Sequence, residues 1–225
     1  MVMLLPLVAI FFSQSNEDDF WRIEETIKTA KSVSLQVRKE STITEGGKVH
    51  SIKWSGSVLL KEGNKLNVSL TEADAPNSPL QIICNHKDIL VRDVDSTVLK
   101  GQAVDGLSNG VRLAISRGQV DFWLADAAKR IKEGNNQSVD WKARFKVANI
   151  RVGEPDSNLK TLTYDVKSSD DTIHFRVWYD SETYKPIKRS YEYKKDQLSA
   201  KGVEFYGSLT LNAEIPDSKF DIPSK

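Results

Sequence analysis

One stretch of this chain has helical spacing in a sequence that otherwise alternates like strands: Val120-Asp-Phe-Trp-Leu-Ala-Asp-Ala-Ala-Lys-Arg-Ile-Lys-Glu133. Its apolar residues share one helical face, namely Val120, Trp123, Leu124, Ala127, Ala128 and Ile131. Gly134-Asn135 is a typical helix stop, and a shorter apolar pattern from Leu107 to Ile115 ends at Arg117-Gly118. We therefore predict that Gly101 to Asn136 forms two short amphipathic helices whose apolar faces cover a sheet.

The rest of the chain alternates apolar and polar residues with a period of two, as in Val33 to Arg38. Roughly ten such segments, joined mostly by Gly, Asn and Asp turns, are typical of a meandering antiparallel sheet. A helical pattern from Phe20 to Lys31 precedes them. We predict a mainly β (α+β) fold: a curled antiparallel sheet forming an incomplete β-barrel, covered by the N-terminal helix and a central helical lid.

The amino-acid composition limits the number of domains and the classes of partner. The chain has 225 residues, of which 39% are hydrophobic, enough for one sizeable core. Its 32 basic and 31 acidic residues are interspersed, which argues against nucleic acid as a partner. The single cysteine, Cys84, cannot form an internal disulfide, and its apolar surroundings favour a small buried core residue.

The first residues, Met1 to Phe12, are continuously apolar and are followed by the polar run Ser13 to Asp19. This run is shorter than the ~20 residues of a membrane span and fits the apolar region of a secretory signal. We predict a signal peptide at residues 1–15, truncated at its start because no Lys or Arg precedes the apolar run. A single domain at 16–225 would then be exported to the periplasm as a soluble monomer with no membrane segment. The alternatives are an N-terminal anchor or a buried strand.

Catalytic chemistry is poorly represented. The three histidines each have an ordinary explanation: His50 and His86 lie near turns, and His174 alternates outward between apolar neighbours. No nucleophile elbow, phosphate loop, dinucleotide fingerprint or zinc motif occurs. We therefore expect no enzyme activity, no metal and no cofactor.

A curled sheet closed by helices leaves an apolar cavity suited to an apolar ligand. The candidate sheet residues are Trp54, Leu66, Val68, Ile173, Phe175, Val177, Tyr191, Phe205 and Leu209. The candidate lid residues are Leu113, Ile115, Trp123, Leu124 and Ala127. The choice of face depends on register, since a slip of one residue inverts it, and core packing is the alternative for each residue.

Five segments resemble one known family: Ala30 to Val37, Gly56 to Val68, Asn85 to Val91, Trp178 to Arg189 and Phe220-Asp-Ile-Pro223. They are similar to the glycine-apolar strand, the short hairpin, the Asp-x-x-Thr turn and the Phe-x-Ile-Pro ending of the LolA-like family. These proteins are periplasmic carriers that move lipoproteins to the outer membrane, together with related outer-membrane lipoprotein-sorting proteins.

The resemblance implies a half-barrel with a helical lid and a cavity that takes up acyl chains. It also implies a transport or chaperone role, with an acyl chain, lipid or lipoprotein as cargo and envelope donor or acceptor proteins as partners. Carriers proper have Lys-Arg-Pro where this chain has Lys61-Glu62-Gly63, so the arginine that helps hold the lid has no counterpart there. The alternative function is a cell-envelope scaffold or protein-interaction domain whose core is packed and ligand-free.

Overall fold

The computed structural model describes residues 16–93, 95, 97–118, 120, 128–133, 145–168 and 171–223. Within them, eleven antiparallel strands form one open sheet. The strands are β1 (Ser32–Glu45), β2 (Lys48–Lys61), β3 (Lys65–Glu72), β4 (Leu80–Asn85), β5 (Asp88–Arg92), β6 (Val98–Gln102), β7 (Lys146–Val152), β8 (Lys160–Ser168), β9 (Asp171–Tyr179), β10 (Pro186–Lys195) and β11 (Leu198–Leu211). The helices are α1 (Asn16–Lys28), α2 (Leu107–Arg117) and a 3-10 turn, Asp217–Phe220; residues 128–132 are also helical.

The strand order is β6-β5-β4-β3-β2-β1-β11-β10-β9-β8-β7. Two meanders, β1 to β6 and β7 to β11, are therefore joined by the pairing of β1 with β11. The edge strands β6 and β7 are not paired with each other, so the sheet stays open. The predicted fold class, an incomplete antiparallel barrel that is mainly β, is confirmed.

A tight turn explains why the long hairpin of β1 and β2 stays in register. Gly46 and Gly47, between β1 and β2, both have positive φ (53° and 81°). Two-residue hairpin turns of this kind need positive φ at both positions and match the twist of the flanking strands. The 14 residues of β1 consequently pair one-to-one with those of β2.

The sheet has two distinct faces. On β1, Val33, Leu35 and Val37 are buried, whereas Gln36 and Arg38 are exposed. The buried side chains point to the face that carries α1 and α2, which we call the inner face. The predicted amphipathic helices at the N-terminus and from residue 107 are both present, and their apolar residues belong to the same core.

The opposite, outer face is partly covered by the C-terminal segment from Ile215 to Pro223. Phe220 is 1% exposed and lies against β3 and β4. Asp217 accepts hydrogen bonds from Lys61 (2.6 Å) and Lys65 (2.8 Å), which lower the pKa of its carboxyl to about 2. Ile83 of β4 and Leu90 of β5, which pair on this face, are buried.

Some predicted boundaries need correction. The predicted helical insert beginning at Gly101 is wrong at its start, because Gly101 and Gln102 end strand β6 and pair with β5. That strand has too few alternating residues to be recognised, and pairing determines its structure. In the predicted helix at 120–133, Val120 and residues 128–132 are helical, while Trp123, Leu124 and Ala127 lie outside the described residues. Cys84 is fully buried, as predicted.

A substitution at Gly56 tests whether β2 and β3 approach each other closely. A Cβ at this position would lie 1.9 Å from the Ser69 carbonyl oxygen, whereas a Cβ at Gly101 would meet nothing within 4 Å. We expect Gly56→Ala to lower the free energy of unfolding by about 3 kcal/mol, as for other overpacked sites. Gly101→Ala is the control and should change it by less than about 1 kcal/mol. Urea unfolding measures both, and equal midpoints would contradict the described strand contact.

Candidate functional site

Side chains on the inner face line up in rows, because residues paired across antiparallel strands point to the same face. One row crosses five strands and contains Val177, Arg189, Glu204, Lys39 and Trp54. Its charged members are buried: Arg189 and Glu204 are 1% exposed and Lys39 is 4% exposed. We call these three residues the polar belt, and they divide the inner face into two halves.

The half on one side of the belt is packed. Its next complete row contains Leu35, Val58, Val68, Ile82 and Val91. All five side chains are fully buried. Together with apolar residues of α1 and α2 they belong to the continuous core, so this row leaves no surface for a ligand.

The half on the other side is less covered. Ile52, Ile173 and Ala200 are apolar and lie on the inner face, yet they are only partly buried against the core. Ile43 and Tyr193 lie in the same row as Ile173 and Ala200 and are also partly buried. We call these five residues the open half.

Arg189 connects the sheet to the end of α2. Its guanidinium donates hydrogen bonds to the carbonyl oxygens of Ile115 (2.9 Å) and Ser116 (2.7 Å), and to the hydroxyl of Tyr206. The last carbonyls of a helix have no partner within the helix and carry partial negative charge. A buried cation from β10 therefore satisfies them and fixes α2 over the packed half.

A second buried arginine joins the two helices. The Nε of Arg117 donates to Glu24 of α1 at 2.8 Å, and its Nη1 donates to the carbonyl oxygen of Phe145 just before β7. Tyr164 in turn donates its hydroxyl proton to the Arg117 carbonyl oxygen at 2.7 Å. Burial raises the pKa of Tyr164, so the phenol stays a neutral donor at physiological pH.

Glu204 holds the chain where it leaves α2. The helix ends at Gly118, whose φ is 101° and whose Cβ position would lie 2.7 Å from both Phe175 and Arg189 side chains. Only glycine suits this close turn. Glu204 then accepts the backbone N–H of Val120 at 3.2 Å and the Tyr206 hydroxyl at 2.8 Å. The segment that follows α2 is thus anchored at the polar belt.

Aromatic rings separate the belt from the open half. The Lys39 ammonium lies 4.6 Å from the ring centre of Tyr191 and 6.0 Å from that of Trp54. Such contacts stabilise a cation that is removed from water. Tyr191 also donates its hydroxyl proton to Ser41 at 2.9 Å. The boundary of the open half is therefore built of rings with fixed positions.

The residues predicted to line the cavity do not all lie together. Buried in the core are Leu66, Val68, Leu113, Ile115 and Val177. At the boundary or in the open half are Trp54, Ile173, Phe175 and Tyr191. Leu209 is partly buried beside Leu35, and Trp123, Leu124 and Ala127 lie outside the described residues. That any of them contacts a ligand stays a prediction.

Phe205 is placed on the outer face, which corrects its expected position on the inner face. It pairs with Arg38, whose guanidinium carbon lies 4.7 Å from its ring centre. The cause is a bulge: Gln36 pairs with Ser208 but Val37 pairs with Tyr206, so one residue is skipped. Regular alternation would put residues 205 and 209 on one face, and the extra residue breaks that relation.

The polar belt was not among the sequence candidates, although alternation contained a signal for it. Continuing the inward series Val33, Leu35 and Val37 by two residues reaches Lys39. Counting back by two from Tyr191 reaches Arg189. The sequence therefore indicated that a charged side chain points inward, but it did not indicate which groups of α2 that side chain contacts.

The chain is similar in fold to a number of solved structures, including the following three. A putative outer membrane lipoprotein-sorting protein domain from Vibrio parahaemolyticus is 10% identical, with a TM-score of 0.41. The match covers 92% of this chain and 97% of that one. A LolA superfamily protein from Nitrosomonas europaea is 13% identical, with a TM-score of 0.36 and coverages of 92% and 98%. The MucA/MucB complex from Pseudomonas aeruginosa is 10% identical, with a TM-score of 0.43 and coverages of 93% and 61%.

These neighbours include the kind of protein that the sequence motifs resembled, at low identity. No protein-family model and no curated protein matches the chain. In the part of the chain that the structure describes, no helix has the length and apolar character needed to cross a membrane.

Replacing Arg189 tests the attachment of α2. Arg189→Met should leave the Ile115 and Ser116 carbonyls buried without donors, and should lower the free energy of unfolding by about 3 to 5 kcal/mol, as when one partner of a buried ionic network is removed. Hydrogen exchange should accelerate at the α2 amides more than in β1 to β3. The control is Arg176→Met, at an exposed position one strand away. Equal effects of the two variants would contradict the attachment.

Proposed function

We propose that this chain is an exported, non-enzymatic binding protein that holds an acyl chain, free or attached to a lipoprotein, at the open half of its inner face. Residues 1–15 are the signal peptide and 16–225 the single half-barrel domain. Its role is lipid or lipoprotein trafficking across the periplasm, between an envelope donor and an acceptor protein. It acts as a monomer and needs no cofactor.

The observation that carries this proposal is the unequal filling of the inner face. The central row of the packed half, from Leu35 to Val91, is fully buried, and partly buried apolar residues such as Leu209 lie only at its ends. In the open half, by contrast, Ile52, Ile173 and Ala200 are all only partly buried. Burying an acyl chain there releases water from apolar surface on both sides, at about 0.8 kcal/mol per methylene. Ten methylenes would contribute about 8 kcal/mol before the costs of ordering and association are subtracted.

The aromatic residues at the boundary of the open half determine where the proposed site ends. Trp54, Phe175 and Tyr191 are large, rigid and almost fully buried, so they form a fixed end wall. An acyl chain would lie along Ile52 and Ile173 and stop at these rings, because the polar belt beyond them offers no apolar surface. The predicted lid side chains Trp123, Leu124 and Ala127 would close over the chain.

The attachment of α2 bears on how the site opens. Because Arg189 and Arg117 fix α2 to β10 and to α1, α2 stays in place when a ligand enters. Opening would then involve the chain beyond α2, and Val120 is itself held there by its N–H bond to Glu204 and by its fully buried side chain. In this chain the arginine that holds helix to sheet would be on β10 rather than in the turn at Lys61-Glu62-Gly63.

A second candidate function is a cell-envelope scaffold with a packed core. One observation favours it: Leu66, Val68, Ile115 and Val177, all proposed as ligand contacts, are fully buried among core residues. A scaffold would fill the open half with its own lid and bind no ligand.

Ligand uptake by matched variants separates the two functions. The protein would be purified from an envelope extract, examined by native mass spectrometry before and after organic extraction, and titrated with a fluorescent fatty acid. Ile52→Glu and Ala200→Glu place a carboxylate in the open half, where desolvation costs several kcal/mol. We expect affinity for the fatty acid to fall at least tenfold, which corresponds to about 1.4 kcal/mol.

The control is Val203→Glu, because Val203 lies on the outer face of β11, the same strand as Ala200. It should leave uptake unchanged. A wild-type protein that has no co-purifying lipid mass and takes up no fatty acid would remove the carrier proposal and favour the scaffold.

A further inference from the structure

The outer face of the sheet carries a polar channel that is separate from the proposed acyl site on the inner face. A cavity of about 620 Å³ lies over β7 to β10, and one of about 360 Å³ lies over β10, β11, β1 and β2. Both are lined by Ser190 and Glu192, so they adjoin at β10, and we call the two together the channel.

Two rows of paired residues form the walls of this channel. The first row is Asp165, His174, Glu192, Lys201, Thr42 and Ser51. The second is Thr163, Arg176, Ser190, Val203, Glu40 and Lys53. Each row crosses six strands, and at about 4.8 Å per strand the channel is about 24 Å long. A ligand that fills it must be extended and run perpendicular to the strands.

The charges in the channel are mixed along its length. The acidic lining residues are Asp165, Glu192 and Glu40, and the basic ones are Arg151, Arg176, Lys201 and Lys53. The two signs alternate from strand to strand. A polyanion would meet the carboxylates and a polycation would meet the arginines, so neither is complementary to the whole channel.

Apolar anchors are scarce in the channel. Trp178 is 8% exposed, and the Lys188 ammonium lies 3.9 Å from its ring centre, which leaves little ring surface for a partner. Protein interfaces depend on buried aromatic or aliphatic anchors at their centre. The channel therefore does not favour a protein partner.

Several polar groups are fixed in place before any ligand arrives. Asp165 accepts a hydrogen bond from Asn149 at 2.5 Å, and its other oxygen lies 2.6 Å from Nδ1 of His174. The second ring nitrogen of His174 has no hydrogen-bond partner among the described residues and can meet a ligand. Arg151 and Glu192, which line the channel, form no ion pair or side-chain hydrogen bond within the described part of the chain, so their donors and acceptors are available to a ligand.

We propose that this channel binds an extended, uncharged oligosaccharide. Each sugar hydroxyl both donates and accepts hydrogen bonds, so a sugar chain needs donors and acceptors close together. Arginine supplies donors in a planar fork, carboxylates supply acceptors, and Asn, His, Ser and Thr supply both. The alternating rows offer this mixture over the length of several sugar units, and the open groove admits a chain from the side. The proposal does not depend on acyl binding at the inner face.

The test uses three neutral hexasaccharides: maltohexaose, cellohexaose and chitohexaose. Each is titrated into the 15N-labelled protein to about 10 mM, ten times a weak dissociation constant of 1 mM. We expect at least one to shift amide signals of β9, β10 and β11 residues in the channel. Arg176→Ala and Glu192→Ala should each weaken that binding at least tenfold.

Arg38→Ala is the control, since Arg38 is exposed on the same face but lies outside the channel. It should leave the affinity unchanged, and circular dichroism checks that every variant is folded. No signal shift with any of the three sugars would overturn the proposal. So would shifts produced instead by heparin or polylysine that disappear with added salt.

Discussion

The contact between the Arg189 guanidinium and the last carbonyls of α2 is the interaction on which the arrangement of this molecule depends. A helix end buried against an apolar sheet would leave carbonyl groups without partners, and water cannot reach them. The side chain from β10 reaches them, and Glu204 and Tyr206 lie beside it. The position of α2, the turn at Gly118 and the start of the following segment all follow from this cluster.

The same cluster divides the inner face into unequal parts. On the α2 side, apolar side chains from β1 to β5 share one core with both helices. On the other side, apolar residues such as Ile52 and Ile173 keep part of their surface. A polar belt between two apolar regions sets a limit to how deep an apolar ligand can lie. The charged outer face is a separate surface, related to the inner one only through shared strands.

Much of the fold could be predicted from the sequence, because the strands, turns and helices are indicated by local sequence patterns. Alternation identified the long strands, glycine turns located the hairpins, and apolar spacing identified α1 and α2. The site was harder, because a single bulge at β11 placed Phe205 on the outer face while Leu209 stayed on the inner one. The extent of burial could not be predicted from the sequence either. Leu66 and Ile173 both point to the inner face, but only the tertiary structure shows that Leu66 is in the core and Ile173 is partly exposed.

The most direct measurement of the central claim uses the isoleucine methyl groups as position markers. With 13C-labelled isoleucine methyls and a spin-labelled fatty acid, paramagnetic broadening reports which residues lie near the bound chain. The account predicts strong broadening at Ile52 and Ile173 in the open half, and none at Ile82 in the packed half or at Ile187 on the outside. Broadening at Ile187, or none at Ile52 and Ile173 under saturating fatty acid, would contradict it.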